Sequence, residues 1–336
     1  NLSDSDFRGS DFDDAKITDA NFARANLSDA NLLGMDLTGT ILTGADLSDA
    51  NLAGVDLSGM DLTETRLIGT DLSNAVLTGT ILTGADLSQT NLTGVDLSGM
   101  NLSGVRLAGV DLSNEILADT ILTGADLSDT NLAGVDLSGM DLTGTILSGA
   151  DLSNAVTTGT ILTGADLSDA NLAGVDLSGM DLTETRLIGT DLSNAVLTGT
   201  ILTGADISQT NLTGVDLSGM NLSGVRLTGV DLSNENLTDT ILTGADLSDT
   251  NLAGVDFSGM DLTGTILSGT DLLNVILTDT ILTGADLSDA NLAGVDFSGR
   301  DLTEMKLTGA DLSNAILIDT ILTGADLSDA NLAGVD

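Results

Sequence analysis

The amino-acid sequence predicts an all-β solenoid, a chain wound into a stack of short laps around a leucine-filled core. Three observations predict it. Every residue whose number leaves remainder two on division by five is apolar, from Leu2, Phe7 and Phe12 through to Leu332, with Thr157 the single polar member. All 40 glycines stand at the fourth position of that same five-residue frame. A longer period of 40 residues is superimposed, ILTGAD recurring at 41, 81, 121, 161, 201, 241, 281 and 321.

A period of five suits neither regular element. On an α-helix, leucines five apart rotate by about 140° per step and spread over every face. On a flat strand, an odd step sends alternate leucines to opposite faces. The pattern works if the backbone bends once in each pentad, so that every leucine faces one axis. The fourth position supplies the bend: where it is not Gly it is mostly Asp or Asn, residues that tolerate the positive φ of a tight turn. The fifth position is compact (Ala, Thr, Val or Met) and lies two residues before the next leucine, so it points inward beside it. The first position then points outward.

Composition narrows the function classes. The chain has 336 residues, a net charge of −42, and no Cys, His, Pro, Trp or Tyr. Its 41% hydrophobic content suffices for a core despite that charge. No apolar run reaches the ~18 residues of a membrane span. Disulfides and thiolate metal sites are excluded, and the acidic surface repels nucleic acid phosphates and anionic membrane. The first residue is Asn rather than Met, and no compartment or targeting segment is assigned.

Units such as A-D-L-S-D and A-N-L-A-G resemble those of pentapeptide-repeat proteins, whose pattern is A-(D/N)-L-X-X. The resemblance covers all 67 pentads. It implies a right-handed quadrilateral parallel β-helix with four pentads, twenty residues, per coil, and therefore about 17 coils. The 40-residue period is two such coils and does not divide into three-sided coils of fifteen. At ~4.8 Å per lap the chain is expected to be a rod about 80 Å long. Residues 1–336 read as one continuous solenoid, less regular over 1–40 and built of two-coil super-repeats over 41–336, with no cap visible at either end.

Folding the sequence on twenty gives four outward columns. One alternates Asn51, Asp71, Asn91, Asp111; another runs Asp56, Val76, Asp96, Ile116; a third runs Ile41, Asp61, Ile81, Asn101. The fourth is a charge-spacing ladder, Asp46, Arg66, Asp86, Arg106 and again Asp166, Arg186, Asp206, Arg226, with Lys306 further on. From residue 41 onward no two Asp are adjacent in any column. Stacked carboxylates ~5 Å apart would repel, so two coils form the smallest unit that can be copied without charge stacking. Each exposed Arg–Asp pair contributes only ~0–1 kcal/mol.

Outward hydrophobics form a possible lateral contact stripe: Val76 with Ile81, Ile116 with Ile121, Val156 with Ile161, Val196 with Ile201, Ile276 with Ile281, and Ile316 with Ile321. The plainer alternative is β-propensity at exposed positions. Thr43, Thr63, Thr83, Ser103 and Thr123 begin an unbroken hydroxyl column of the kind an ice-binding face would need, interrupted beside it by alternating Ile and Asp or Asn. Three inward positions carry charge: Glu115 and Glu235 where neighbouring laps have Val, and Arg300 where others have Met. These are expected to bend outward as local defects.

No catalytic, metal or cofactor residues are assigned, because Asp and Asn oxygens sit in solvent-facing columns without the glycine loops of calcium-binding rolls. Residues 41–160 and 161–280 differ at 11 of 120 positions, and tandem copies do not make a unique active site. The expectation is a non-catalytic structural or scaffold protein whose partner is another protein or a further copy, end to end or lateral. An alternative is a DNA mimic: the family this chain resembles includes members of the quinolone-resistance type, which bind DNA gyrase, and one charge per ~2 Å approaches the one per ~1.7 Å of duplex DNA. Here, however, no loop interrupts the pentads, and Leu stands at most central positions where that subgroup has Phe. The ice-binding surface is the lesser alternative.

Overall fold

The computed structural model describes residues 1–233 and 235–336. They fall into two compact units, Asn1–Asn171 and Leu172–Asp336, built on one plan. In the first unit Asp71 is bridged in parallel to both Asn51 and Asn91; in the second, Asp271 is bridged to Asn251 and Asn291. Every bridge among the described residues is parallel and joins positions twenty apart. Each is a single-residue bridge at a first pentad position. Continuous strands do not form, because a left-handed residue interrupts the extended backbone once in every five.

One pentad shows where the backbone groups go. Leu52 N–H donates to Asp71 O (2.8 Å), and Asp71 N–H donates back to Ala50 O (2.9 Å). Asn74 N–H reaches Thr93 O on the next lap (2.9 Å). Ala75 N–H closes a turn on Leu72 O (2.9 Å), and Asn74, the third residue of that turn, has φ 58°. The chain thus satisfies its amides partly within the pentad and partly between laps, which is what lets an unstranded coil bury its backbone.

Leucines fill the interior. Leu47, Leu67 and Leu127 in the first unit and Leu187, Leu227 and Leu247 in the second have no accessible surface. Burying such a side chain contributes about 1.5–3 kcal/mol. Ala and Val at the fifth position pack between them, for example Ala45, Val105 and Val225. Inward threonines keep their hydroxyls paired: Thr70 Oγ1 donates to Leu47 O (2.7 Å) and Thr200 Oγ1 to Leu177 O (2.9 Å). Thr157, the polar member of the leucine column, is also buried. Phe7, Phe12 and Phe22 form a separate cluster, their centroids 5.4–5.9 Å apart and mutually tilted or edge-on.

The fourth position carries a second constraint. A Cβ placed on Gly69 would lie 2.4 Å from Asp49 Oδ1, and one on Gly94 would lie 2.7 Å from Asn74 Oδ1. Here, and again at Gly149, Gly214, Gly269 and Gly309, the Asp or Asn in the left-handed turn of the preceding lap leans over the glycine, whereas Gly139, Gly174 and Gly294, which follow Asp119, Asn154 and Asn274, have open space. Within residues 41–336 no two fourth positions twenty apart are both non-glycine, although Asp4 with Arg24 and Asp29 with Asp49 are. Where the side chain leans in this way, sterics reinforce the two-lap repeat that charge spacing sets.

Candidate interaction surface

The outward first position is held by its own turn. Asp46 Oδ1 accepts the Ser48 backbone N–H (3.1 Å) and the Ser48 hydroxyl (2.6 Å). Asp86 with Ser88, Asp126 with Ser128 and Asp286 with Ser288 repeat the arrangement. Asn does the same at Asn101 and Asn221, where Ser103 and Ser223 donate. A short side chain with an acceptor oxygen is what this local ring demands. That explains the Asp/Asn preference at this position.

Hydrogen bonds from Ser hydroxyls hold Asp56, Asp136, Asp176 and Asp256 below the usual carboxylate range, with the Ser backbone N–H adding to the effect. Asp71 and Asp191 are lowered chiefly by the N–H of Ser73 and Ser193. In the Asn–Asp column the amide also donates along the axis: Asn91 Nδ2 to Asp71 Oδ1 (2.9 Å) and Asn211 Nδ2 to Asp191 Oδ1 (2.9 Å). Asn here is a donor as well as a neutral spacer.

The ladder residues face their neighbours as follows. Arg66 lies 3.6 Å from Asp46, and Arg106 sits between Asp86 (3.7 Å) and Asp126 (3.8 Å). Arg226 sits between Asp206 (3.2 Å) and Asp246 (3.9 Å), and Lys306 Nζ donates to Asp286 (3.0 Å). Arg186 is bridged to Asp206 through the backbone, and Asp166 to Ile146. Burial pushes Asp206 and Asp286 up, but Ser208 with Arg226, and Ser288 with Lys306, outweigh it and leave both carboxyls lowered.

Val76, Ile81, Ile116, Ile121, Val156 and Ile161 stand exposed on the first unit; Val196, Ile201, Ile276, Ile281 and Ile321 stand exposed on the second, with Ile316 half-buried. They alternate along the axis with Asp or Asn: Val76 is bridged to Asp56, Ile81 to Asp61 and Ile121 to Asn101. Open grooves recur at the corner between these two columns. One of about 460 Å³ is lined by Thr198, Ile201, Asp216, Ser218, Met220 and Asn221; another of about 310 Å³ by Thr238, Ile241, Asp256, Met260 and Asp261. The hydroxyl column is not uniform: Thr183 and Thr263 are turned onto Asp181 and Asp261, whereas Thr43 and Thr123 lie 3.4 Å from the carbonyls of Asp61 and Asp141.

The three inward charges each find a local partner. Where Gly54 and Gly134 donate to the carbonyls of Ser73 and Ser153, Gly94 N–H donates to Glu115 Oε1 (3.2 Å). Burial pushes the Glu235 carboxyl up, with the charge of Asp231 adding and the Gly214 N–H opposing. Arg300 turns outward, pairing with Asp279 (3.4 Å) and donating to Ser298 O (3.3 Å). The Asp279 pairing went unread because it crosses a corner with a 21-residue offset.

Among the described residues no group of three acidic or other ligating side chains is placed to hold a metal, and no helix is long and apolar enough to cross a membrane. What the surface offers is repetition. A parallel coil that presents side chains in axial columns belongs to the class of solenoid proteins, which act as structural elements or interaction surfaces. The chain belongs to the pentapeptide-repeat family: the model described as "Pentapeptide repeats" matches successive segments from residues 5–44 to 296–334. Such proteins are generally structural or interaction proteins rather than enzymes.

Among solved structures the chain is similar to a trypsin-treated variant of QnrB1, a plasmid-mediated fluoroquinolone resistance protein. The identity is 24%, covering 64% of this chain and 90% of that one, with a TM-score of 0.29. It is similar to HetL, a pentapeptide repeat protein involved in heterocyst differentiation regulation from Nostoc sp. strain PCC 7120. There the identity is 29%, the coverage 84% and 89%, and the TM-score 0.14. Rfr23 from Cyanothece 51142 is 30% identical over 35% of this chain and 84% of that one, with a TM-score of 0.14. None of the curated proteins matches the chain. The family assignment rests on the repeat itself.

Proposed function

We propose that the chain is a non-catalytic structural protein, a rigid acidic rod that serves as spacer or scaffold. In this reading residues 1–336 wind as one right-handed, four-sided solenoid of about seventeen laps. One observation carries it: residues 41–160 and 161–280 differ at only 11 of 120 positions, so duplication has lengthened the object without adding new chemistry. The pentad frame also runs without a slip through NLAGVDLSGM at 171–180, where the two units adjoin in sequence. End-to-end stacking into filaments belongs to the same reading, since a head-to-tail contact need not close on itself. Small-angle X-ray scattering tests the shape: a particle of constant cross-section about 80 Å long is expected, and a globular or hinged particle contradicts it.

A second reading, mimicry of DNA toward a topoisomerase, is favoured by one quantity. The 42 net negative charges along that length give one per ~2 Å, near the ~1.7 Å spacing of duplex DNA. A gyrase supercoiling assay decides between them. Protection or inhibition below micromolar protein supports mimicry; an unchanged supercoiling rate leaves the scaffold.

A further inference from the structure

We infer that the corner carrying the Val/Ile pairs is a docking edge for a cationic polypeptide of another protein, bound in the polyproline II conformation. The inference uses only the twenty-residue register within a unit and does not depend on the rod.

The chemistry of the edge comes first. In the first unit, exposed apolar pairs at Val76/Ile81, Ile116/Ile121 and Val156/Ile161 alternate lap by lap with polar pairs such as Asp56/Asp61 and Asp136/Asp141. Neither column contains a Lys or Arg from residue 41 to the end. The separating cations are all in the other ladder, where Arg106 already lies between Asp86 and Asp126. The acids on this edge are therefore not neutralised from within the columns. The turn bonds that hold Asp56 and Asp136 use Oδ1, which leaves Oδ2 to meet a ligand cation.

The shape is consistent with a ligand that inserts side chains. Grooves open at this corner where an apolar lap meets an acidic one, as between Glu115 and Met140 (about 330 Å³) and between Thr198 and Asn221 (about 460 Å³). Both apolar and acidic residues line them, and Met forms part of the wall.

Charge complementarity selects the occupant. A second copy laid edge to edge in register would place Asp against Asp, and a slip of one lap would place Asp against Ile; both cost free energy. Nucleic acid and anionic lipid are repelled. A polypeptide bearing Lys or Arg with interspersed apolar residues satisfies both halves of the edge.

Pitch then selects its conformation. The pattern repeats every two laps, about 9.6 Å. A polyproline II segment repeats its side-chain direction every three residues, about 9.3 Å. An α-helix does so most nearly after seven residues, about 10.5 Å. A β-strand repeats at two residues, about 6.7 Å. The mismatch is thus about 0.3 Å per repeat for polyproline II against about 0.9 Å for a helix.

The test uses the full chain and three labelled synthetic peptides in fluorescence anisotropy. One has four Pro-Lys-Val triplets, one the same residues in scrambled order, and one Lys and Val at heptad spacing in a helical host. The triplet peptide is expected to bind at least about tenfold more tightly than either other peptide. A similar loss is expected when Val76, Ile81, Ile116, Ile121, Val156 and Ile161 are all replaced by Thr, and when Asp56→Asn, Asp96→Asn and Asp136→Asn are combined. Both variants keep β-branched or turn-compatible side chains, and circular dichroism checks their fold. Equal binding of the scrambled peptide, tighter binding of the helical one, no binding of the triplet peptide, or indifference to the Thr replacements would each overturn the proposal. So would sedimentation showing that the parent chain self-associates and the Thr variant does not.

Discussion

At the scale of the residue, the governing event is a carboxylate or amide oxygen capturing the N–H and hydroxyl two positions ahead. Asp136 shows its energetics: the Ser138 hydroxyl and then its N–H hold the carboxyl below its usual range. A carboxyl lowered in the folded state contributes stability above its unfolded pKa and loses it as pH falls through the folded value. Ser138→Ala is therefore expected to raise the Asp136 pKa toward the ordinary value, read by NMR titration, and to destabilise the protein at neutral pH. The variant and parent should converge in strong acid. Glu235 has the opposite sign, since burial raises its carboxyl. Its charged form is a penalty at neutral pH that vanishes below the ordinary glutamate pKa. Glu235→Val, restoring the residue of neighbouring laps, is expected to stabilise by ~1 kcal/mol at pH 7, measured by chemical denaturation, and by less at pH 4. The D-x-S/T spacing that builds the turn bond was present in the sequence. Its meaning was not legible until the turn placed the oxygen over the amide.

At the scale of the pentad and its turn, sterics at positions such as Gly69 and Gly94 reinforce the two-lap period of the charges. The leucine column and the inward fifth position were legible because burial enforces them through most of the repeats. The alternation of fourth positions was equally visible as letters, but the contact behind part of it was not: Asp49 leans to within 2.4 Å of where a Gly69 Cβ would stand. The Glu115–Gly94 bond and the Arg300–Asp279 pair were illegible for a related reason, because each joins residues across a corner whose side-chain directions the period does not fix. The steric rule makes a sharp prediction. Gly54→Ala meets only the strain of positive φ, with open space around it, and is expected to cost about 1 kcal/mol. Gly69→Ala meets that strain and the Asp49 carboxylate, and is expected to cost at least about 1 kcal/mol more. Asp49→Gly combined with Gly69→Ala should recover that excess in a double-mutant cycle. Equal costs for the two single variants would refute the steric account.

For the whole molecule, every column, ladder and edge described above depends on how many residues make one lap. The leucine interior depends on it too: Leu127, fully buried, is expected to lose about 2–5 kcal/mol on replacement by Ala, because the ladder above and below cannot close the gap. The chain contains no cysteine, so the lap can be measured by cross-linking against no background. Asn51→Cys with Asp71→Cys places the thiols at bridged positions, within the 4.4–6.8 Å Cα range that a disulfide spans. Asn51→Cys with Arg66→Cys places them fifteen apart, on different sides. Under mild oxidation of the folded protein, the twenty-residue pair is expected to form an intramolecular disulfide and the fifteen-residue pair to stay reduced; the reverse result would contradict the twenty-residue lap.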